Sequence, residues 1–271
     1  MIPCYRGRKN SNLTLQKLLN PLPPAAIFVD AFGGSAAVSV GAWKTGKYRS
    51  VVYNDLDRSV VDCLIGLRDM PERVKTRLFL TPQSRAYLLE DVQQELKSED
   101  VAVRAAALIY LYAHSNAGLP NTFLRPSLRH ARRLRNDQGA WERIVERIDK
   151  DAAVLRKITL ECWDAKKIIN AYSKGGSEYE PESILFFFDP PYGKTQGYAA
   201  KFTDYDLLSR TFTGPWKVAI CGDEESLSKI DISHVSKRID LSGGSWAQGS
   251  FRQFMFLNLA CAETIGTPLF D

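Results

Sequence analysis

The chain has 271 residues, 45% hydrophobic and 25% charged, with a formal net charge of +5 and a pI near 8.9. That balance places the chain in the globular range, is enough for a full α/β core with one inserted subdomain, and is compatible with nucleic acid as a partner. Cys4, Cys63, Cys162, Cys221 and Cys261 show no paired spacing, no apolar run reaches membrane-spanning length, and the N-terminus has no signal-peptide core. A zinc site, a disulfide framework, membrane insertion and export are therefore not expected, and a reducing cytoplasmic setting is.

Tyr5-Arg6-Gly7-Arg8-Lys9 is a short basic patch around a glycine, ahead of an expected amphipathic helix at about Leu13 to Leu19. A solvated tail accounts for the patch as readily as a binding role does. Ala25 to Asp30 reads as the first strand and runs into Phe32-Gly33-Gly34-Ser35-Ala36-Ala37-Val38, a glycine turn opening a helix of small residues. Glycines let a backbone approach a ligand closely, and a helix N-terminus offers unpaired N–H groups. A plain tight turn has the same composition, and the dinucleotide G-x-G-x-x-G pattern is missing, so a pyrophosphate cradle is not expected.

Arg49 to Tyr53 forms a second strand ending in Asn54-Asp55-Leu56-Asp57. A carboxylate at the tip of the second strand of such folds accepts from ribose hydroxyls. Asp55 fits that place better, and either Asp55 or Asp57 alternatively caps the helix that begins near Arg58. From there to about residue 156 the pattern is helical and strand-poor, with a strongly apolar helix at Val101 to Ala113 and an amphipathic one at Trp141 to Leu155. Between them Arg125, Arg129, Arg132, Arg133 and Arg135 occur with no acid from His114 to Asn136. An unmixed positive run suits a phosphate backbone, and some of these arginines could read guanine edges; a solvated helix face usually mixes signs.

Lys157 to Cys162 returns to a strand followed by Trp163-Asp164, where Asp164 either accepts from the amino group of a bound ring or caps the next helix. After a polar loop at Tyr172 to Glu182 comes Ile184-Leu185-Phe186-Phe187-Phe188-Asp189-Pro190-Pro191-Tyr192. Five apolar residues suit a central parallel strand buried on both faces, and two prolines end its hydrogen-bond ladder. Asp189 then stands at the carboxyl edge of the sheet, where open α/β folds place ligands. Its carboxylate and the Pro190 carbonyl give two acceptors suited to an –NH2 group, and Tyr192 offers a face on which an extruded base can stack. An ordinary turn after a buried strand has the same residues. The loop Gly193 to Ala200, with Tyr198, either closes over a substrate or packs down with Phe202 as a crossover. Lys217 to Cys221 is a further strand, and Val235 to Leu241 and Phe251 to Ala260 read as antiparallel strands joined by the Gly/Ser-rich segment Ser242 to Ser250.

Taken in order, Tyr5-Arg6-Gly7-Arg8-Lys9, Val29-Asp30-Ala31-Phe32-Gly33-Gly34-Ser35, Tyr53-Asn54-Asp55, a helical insertion and Asp189-Pro190-Pro191-Tyr192 resemble the Dam-type, alpha-group DNA adenine-N6 methyltransferases, phage members included. The resemblance spans essentially the whole chain. It implies an α/β fold, a Rossmann-like seven-stranded methyltransferase sheet formed by 1–62 and 151–271, with a helical target-recognition domain inserted at 63–150. It implies S-adenosylmethionine as cofactor, with Tyr5 and Lys9 beside its methionine end, Asp30, Phe32 and Gly33 lining its pocket, Asp55 on the ribose and Asp164 on the adenine. Asp189, the Pro190 carbonyl and Tyr192 would hold a flipped-out target adenine for direct methyl transfer to N6. Double-stranded DNA would be the partner, contacted by Arg125, Arg129, Arg132 and Arg133, with no obligate protein partner, in a cytoplasmic enzyme of bacterial or phage origin. The family's Phe-x-x-Pro-Phe/Tyr-Gly stretch is replaced here by Phe123-Leu124-Arg125-Pro126-Ser127, so no target sequence carries over. An RNA base amino-methyltransferase and a non-catalytic nucleic-acid-binding relative are the alternative readings.

Overall fold

Ile184–Phe188, the apolar run before Asp189, is a strand with all five side chains buried. Each such Leu or Phe contributes about 2 kcal/mol by leaving water. The computed structural model describes residues 12–82, 85–116, 119–123, 143–173, 180–191, 202–241 and 253–262. Over these the chain runs α1 (Asn12–Leu19), β1 (Ala25–Asp30), α2 (Ala37–Thr45), β2 (Tyr48–Asn54), α3 (Arg58–Asp69), α4 (Pro71–Leu80), α5 (Arg85–Glu95) and α6 (Val101–His114). A small antiparallel hairpin follows, β3 (Ser115–Asn116) and β4 (Leu119–Phe123), and then a helix over 143–155, α7. The remainder is β5 (Ile158–Glu161), α8 (Ala165–Ser173), β6 (Ile184–Phe188), α9 (Tyr205–Phe212), β7 (Lys217–Asp223), α10 (Glu224–Leu227), β8 (Val235–Asp240), β9 (Gln253–Asn258) and α11 (Leu259–Ala262). No described helix is long and apolar enough to cross a membrane.

The seven longer-range strands form one mixed sheet in the order β5-β2-β1-β6-β7-β9-β8. β1 is parallel to β2 and to β6, and β6 is parallel to β7. β9 runs antiparallel to both β7 and β8. From β1 the chain winds outward on one side and from β6 on the other, so the direction of winding reverses between these two central strands. In doubly wound sheets the crevice at the carboxyl ends of the strands flanking such a reversal is the ligand site. β6 and β7 are buried throughout because strands with covered faces carry no polar face. The outer strand β8 instead exposes Ser236, Lys237 and Arg238, charges that suit an edge.

The chain divides into two compact units, one built on Asp57–Cys162 and the other on Ala37–Leu56, Trp163–Asp271 and the region of β1. In the first, Gly66 of α3 packs so closely on α6 that an added Cβ would lie 2.6 Å from that of Ala105. Asp62, nearly buried, accepts from Arg58 and Arg104, and Arg104 also donates to the carbonyls of Ser98 and Glu99. In the second unit Phe28 stacks on Phe187 across the centre of the sheet, with ring centroids 5.9 Å apart. At the amino edge Lys217 Nζ donates to the Pro24 carbonyl, and burial lowers its pKa. Nearby, burial pushes the Cys261 thiol from an ordinary 9.0 up to about 11.

Candidate active site

The carboxyl ends of β1, β2 and β6 carry six of the residues that the sequence singles out: Asp30, Phe32, Gly33, Asp55, Asp189 and Pro190. Asp30, the last residue of β1, is 1% exposed, and its carboxylate accepts from Ser39 Oγ of α2 at 2.6 Å. The acid therefore ties the strand end to the helix that the glycine turn opens. Phe32 follows, half-buried, with its ring edge-on to Phe188 at 6.3 Å and to Phe202 at 5.1 Å. Phe202 also lies edge-on to Tyr205 at 5.8 Å, while the loop Gly193 to Ala200 lies outside the described residues. Tyr198 lies outside the described residues.

Gly33 is held against β2. Its N–H donates to the Asn54 carbonyl at 2.8 Å, and an added Cβ would stand 2.2 Å from Cε2 of the fully buried Tyr53 ring. No larger residue fits, and the reason is the β1 turn lying flat on β2. Gly34 and Ala36 next to it both have positive φ, at 48° and 61°. For Ala36 that left-handed conformation is uncommon and marks a tightly specified loop.

At the end of β2, Asp57 accepts from the N–H and the hydroxyl of Ser59 and caps α3, so that capping role is not Asp55's. Asp55 is half-buried at the strand tip. Asn54, which the sequence reading passed over as a site residue, is 1% exposed. Its amide donates to the carbonyls of Ala31 and Trp163, each at 3.0 Å, and accepts from the Trp163 N–H at 2.9 Å. Its one sequence signal is an amide, normally depleted in strands, at a strand end beside an acid.

Asp164 is exposed, and one carboxylate oxygen accepts from the Lys166 N–H at 2.8 Å at the start of α8. Capping thus occupies one oxygen and is compatible with a contact from the other. Asp164 also lines an open depression of about 480 Å³ with Lys166, Lys167, Asn170 and Ala171, while Lys167 Nζ lies 4.2 Å from the centre of the Trp163 ring.

On the β6 side Asp189 is half-buried and Pro190 buried. The Ala31 N–H donates to the Phe187 carbonyl at 3.1 Å, continuing the β1–β6 ladder past Asp30. With Val29 opposite Phe186 and Asp30 opposite Phe187, the glycine turn and the Asp-Pro-Pro turn leave neighbouring strands at one edge. The structure thus brings Asp30, Phe32, Gly33, Asp55, Asp189 and Pro190 to the carboxyl edge around the winding reversal, with Asp164 one residue beyond the Trp163 that Asn54 holds. Tyr5, Lys9, Tyr192, Arg125, Arg129, Arg132 and Arg133 lie outside the described residues.

A seven-stranded mixed sheet, with acids gathered at the carboxyl edge around the winding reversal, makes the protein a Rossmann-like α/β protein. Residues 5–221 match the family described as D12 class N6 adenine-specific DNA methyltransferase, and the chain belongs to that family. It is an adenine-specific DNA methyltransferase, whose substrate is DNA and whose reaction needs a methyl donor. No curated protein matches the chain. Among solved structures it is similar to the rRNA methyltransferase aviRa from Streptomyces viridochromogenes, with 13% identity, coverage of 97% of this chain and 90% of that one, and a TM-score of 0.38.

Proposed function

We propose that the enzyme transfers methyl from S-adenosylmethionine to N6 of an adenine turned out of duplex DNA, by direct in-line transfer with no covalent enzyme intermediate. The observation that carries this reading is the pairing of β1 with β6, which starts the glycine turn and the Asp-Pro-Pro turn side by side. Neighbouring strands are about 4.8 Å apart, so groups on the two turns can meet at one reacting centre. The residues suit a nucleoside without a pyrophosphate. Asp55 and Asp164 are acceptors for ribose hydroxyls and a ring amine, Phe32 is an apolar wall, and Gly33 lets the backbone come close. Asp30 is buried behind the same edge, its carboxylate holding α2 through Ser39, and so supports the pocket from within. Tyr5 and Lys9 complete it at the methionine end.

When bound, S-adenosylmethionine supplies an electrophilic methyl group on a sulfonium. The chain's own task lies on the acceptor. An adenine amine is a weak nucleophile because its lone pair is delocalised into the ring. The Asp189 carboxylate and the Pro190 carbonyl accept its two hydrogens, bend it toward tetrahedral geometry and return electron density to nitrogen, while Tyr192 stacks on the extruded base. Once the nitrogen holds a fourth bond it sheds a proton, which Asp189 is positioned to pass to water. Positioning and polarisation supply the rate. Segment 63–150 is the target-recognition insertion in this reading, with Arg125, Arg129, Arg132 and Arg133 on phosphates.

The test is transfer of labelled methyl from S-adenosylmethionine to unmethylated genomic DNA, with total RNA as control and sequencing of the product. Label in N6-methyladenine at one short motif is expected. Label confined to RNA, or no label despite cofactor binding, would overturn the reading.

A further inference from the structure

Asn54 is a costly residue for its place. A primary amide at the end of a buried strand loses its water, and burial is tolerated only where its hydrogen bonds are replaced. Here they are: both N–H groups go to carbonyls, of Ala31 and Trp163, and the oxygen takes the Trp163 N–H, while the main-chain oxygen of the same residue takes the Gly33 N–H. A valine or leucine would fill the site without that requirement, so what the amide adds is the position of its partners.

Those partners are the immediate neighbours of the proposed pocket residues. Ala31 precedes Phe32, Trp163 precedes Asp164, and Asn54 itself precedes Asp55. The Ala31 N–H in turn donates to Phe187, two residues before Asp189. One transverse line of hydrogen bonds therefore runs from Trp163 through Asn54 and Ala31 to β6. Main-chain ladders alone do not make it, because the Asn54 side chain stands in for backbone pairing beyond the ends of the strands.

We infer that Asn54 is a positioning residue for the methyl donor: it fixes Asp164 and the Phe32-Gly33 turn relative to Asp55, and so sets the width of the cofactor pocket. The inference rests on the reading of that edge as the S-adenosylmethionine site. It acts through backbone atoms, so its signature is in cofactor binding and in coupling to Asp164.

The experiment measures kcat, KM for S-adenosylmethionine and KM for DNA in Asn54→Ala, Asp164→Ala and the double variant. Asn54→Ala is expected to raise the cofactor KM about tenfold, the equivalent of one lost hydrogen bond, with the DNA KM unchanged. In the Asp164→Ala background the same substitution is expected to cost clearly less than about tenfold, because one of the two groups it orients is already gone. Asn54→Ser, which keeps one hydroxyl at the site, is read the same way where the alanine variant folds poorly. A fall in kcat or in melting temperature at an unchanged cofactor KM, or fully multiplicative effects in the double variant, would overturn the inference while leaving the pocket intact. A wild-type cofactor KM in Asp164→Ala would overturn the pocket reading, and the inference with it.

Discussion

Gly33→Ala is the sharpest perturbation of the edge that the two turns share. The new methyl group would start 2.2 Å from Cε2, 2.3 Å from Cδ2 and 3.0 Å from Cζ of Tyr53. Carbon atoms rest about 3.5–4.0 Å apart, so one side must give by more than about 1 Å. Tyr53 is fully buried and cannot swing aside cheaply, and the Gly33 N–H is fastened to the Asn54 carbonyl at 2.8 Å. Overpacking of this kind costs about 2 kcal/mol, and moving the turn by about 1 Å can cost up to about 100-fold in a well-aligned reaction. Urea denaturation should show a lower midpoint, and steady-state kinetics a higher cofactor KM with a lower kcat. Adding Tyr53→Leu removes the obstructing ring, so the double variant should be less impaired than the two single effects combined. A Gly33→Ala enzyme with the wild-type midpoint and KM, or strictly additive losses, would refute the steric account.

Asp189→Ala is expected to abolish methyl transfer while leaving cofactor affinity within about twofold, since Asp55 and Asp164 are untouched; equilibrium titration with S-adenosylhomocysteine checks it. Neutralising Arg132 and Arg133 together should weaken DNA binding and flatten the dependence of log Kd on log salt by about two, and an unchanged slope would return both residues to a solvated face. The buried thiols should make the fold alkali-sensitive. Cys261 is raised from 9.0 to about 11 and Cys63 from 9.0 to about 12, both chiefly by burial, so the folded state holds protons that the unfolded state releases. Stability is then complete below about pH 9 and declines as pH rises toward 11–12; Lys217, lowered by burial, opposes this trend. Urea midpoints across pH 8–11 for the wild type and for Cys63→Ala with Cys261→Ala should show a flatter decline in the double variant.

The strands were legible because each couples a strong local pattern to a turn. Ala25–Asp30 and Ile184–Phe188 appear with the bounds that the apolar runs suggest, and the other sheet strands differ by a few residues at their ends. The hairpin of β3 and β4 was not legible within the region read as strand-poor: one arm has two residues and the other contains Pro120, which weakens any strand pattern. Which acid caps α3 turned on a two-residue offset that composition does not resolve; the cap is Asp57. Gly33 was legible as a turn glycine, but not its reason, because the Tyr53 ring that excludes a side chain reaches it across the sheet. Asn54 was hidden for the same physical cause. Its partners are 23 and 109 residues away, and no local pattern separates a clamp from a turn former at that range.

The strand order also has a consequence for synthesis. β9 enters the sheet between β7 and β8, and both of those precede it in the chain. As the polypeptide is made, β7 presents an unpaired apolar edge and β8 has no neighbour until Gln253–Asn258 are available. Sheet closure on this side therefore waits for the strand of the three that is made last. In that interval β7, with every residue destined for burial, is the segment most open to pairing with another nascent chain. Slow synthesis through 224–252 would lengthen that exposure, whereas the exposed lysine and arginine of β8 keep the finished edge from offering the same template.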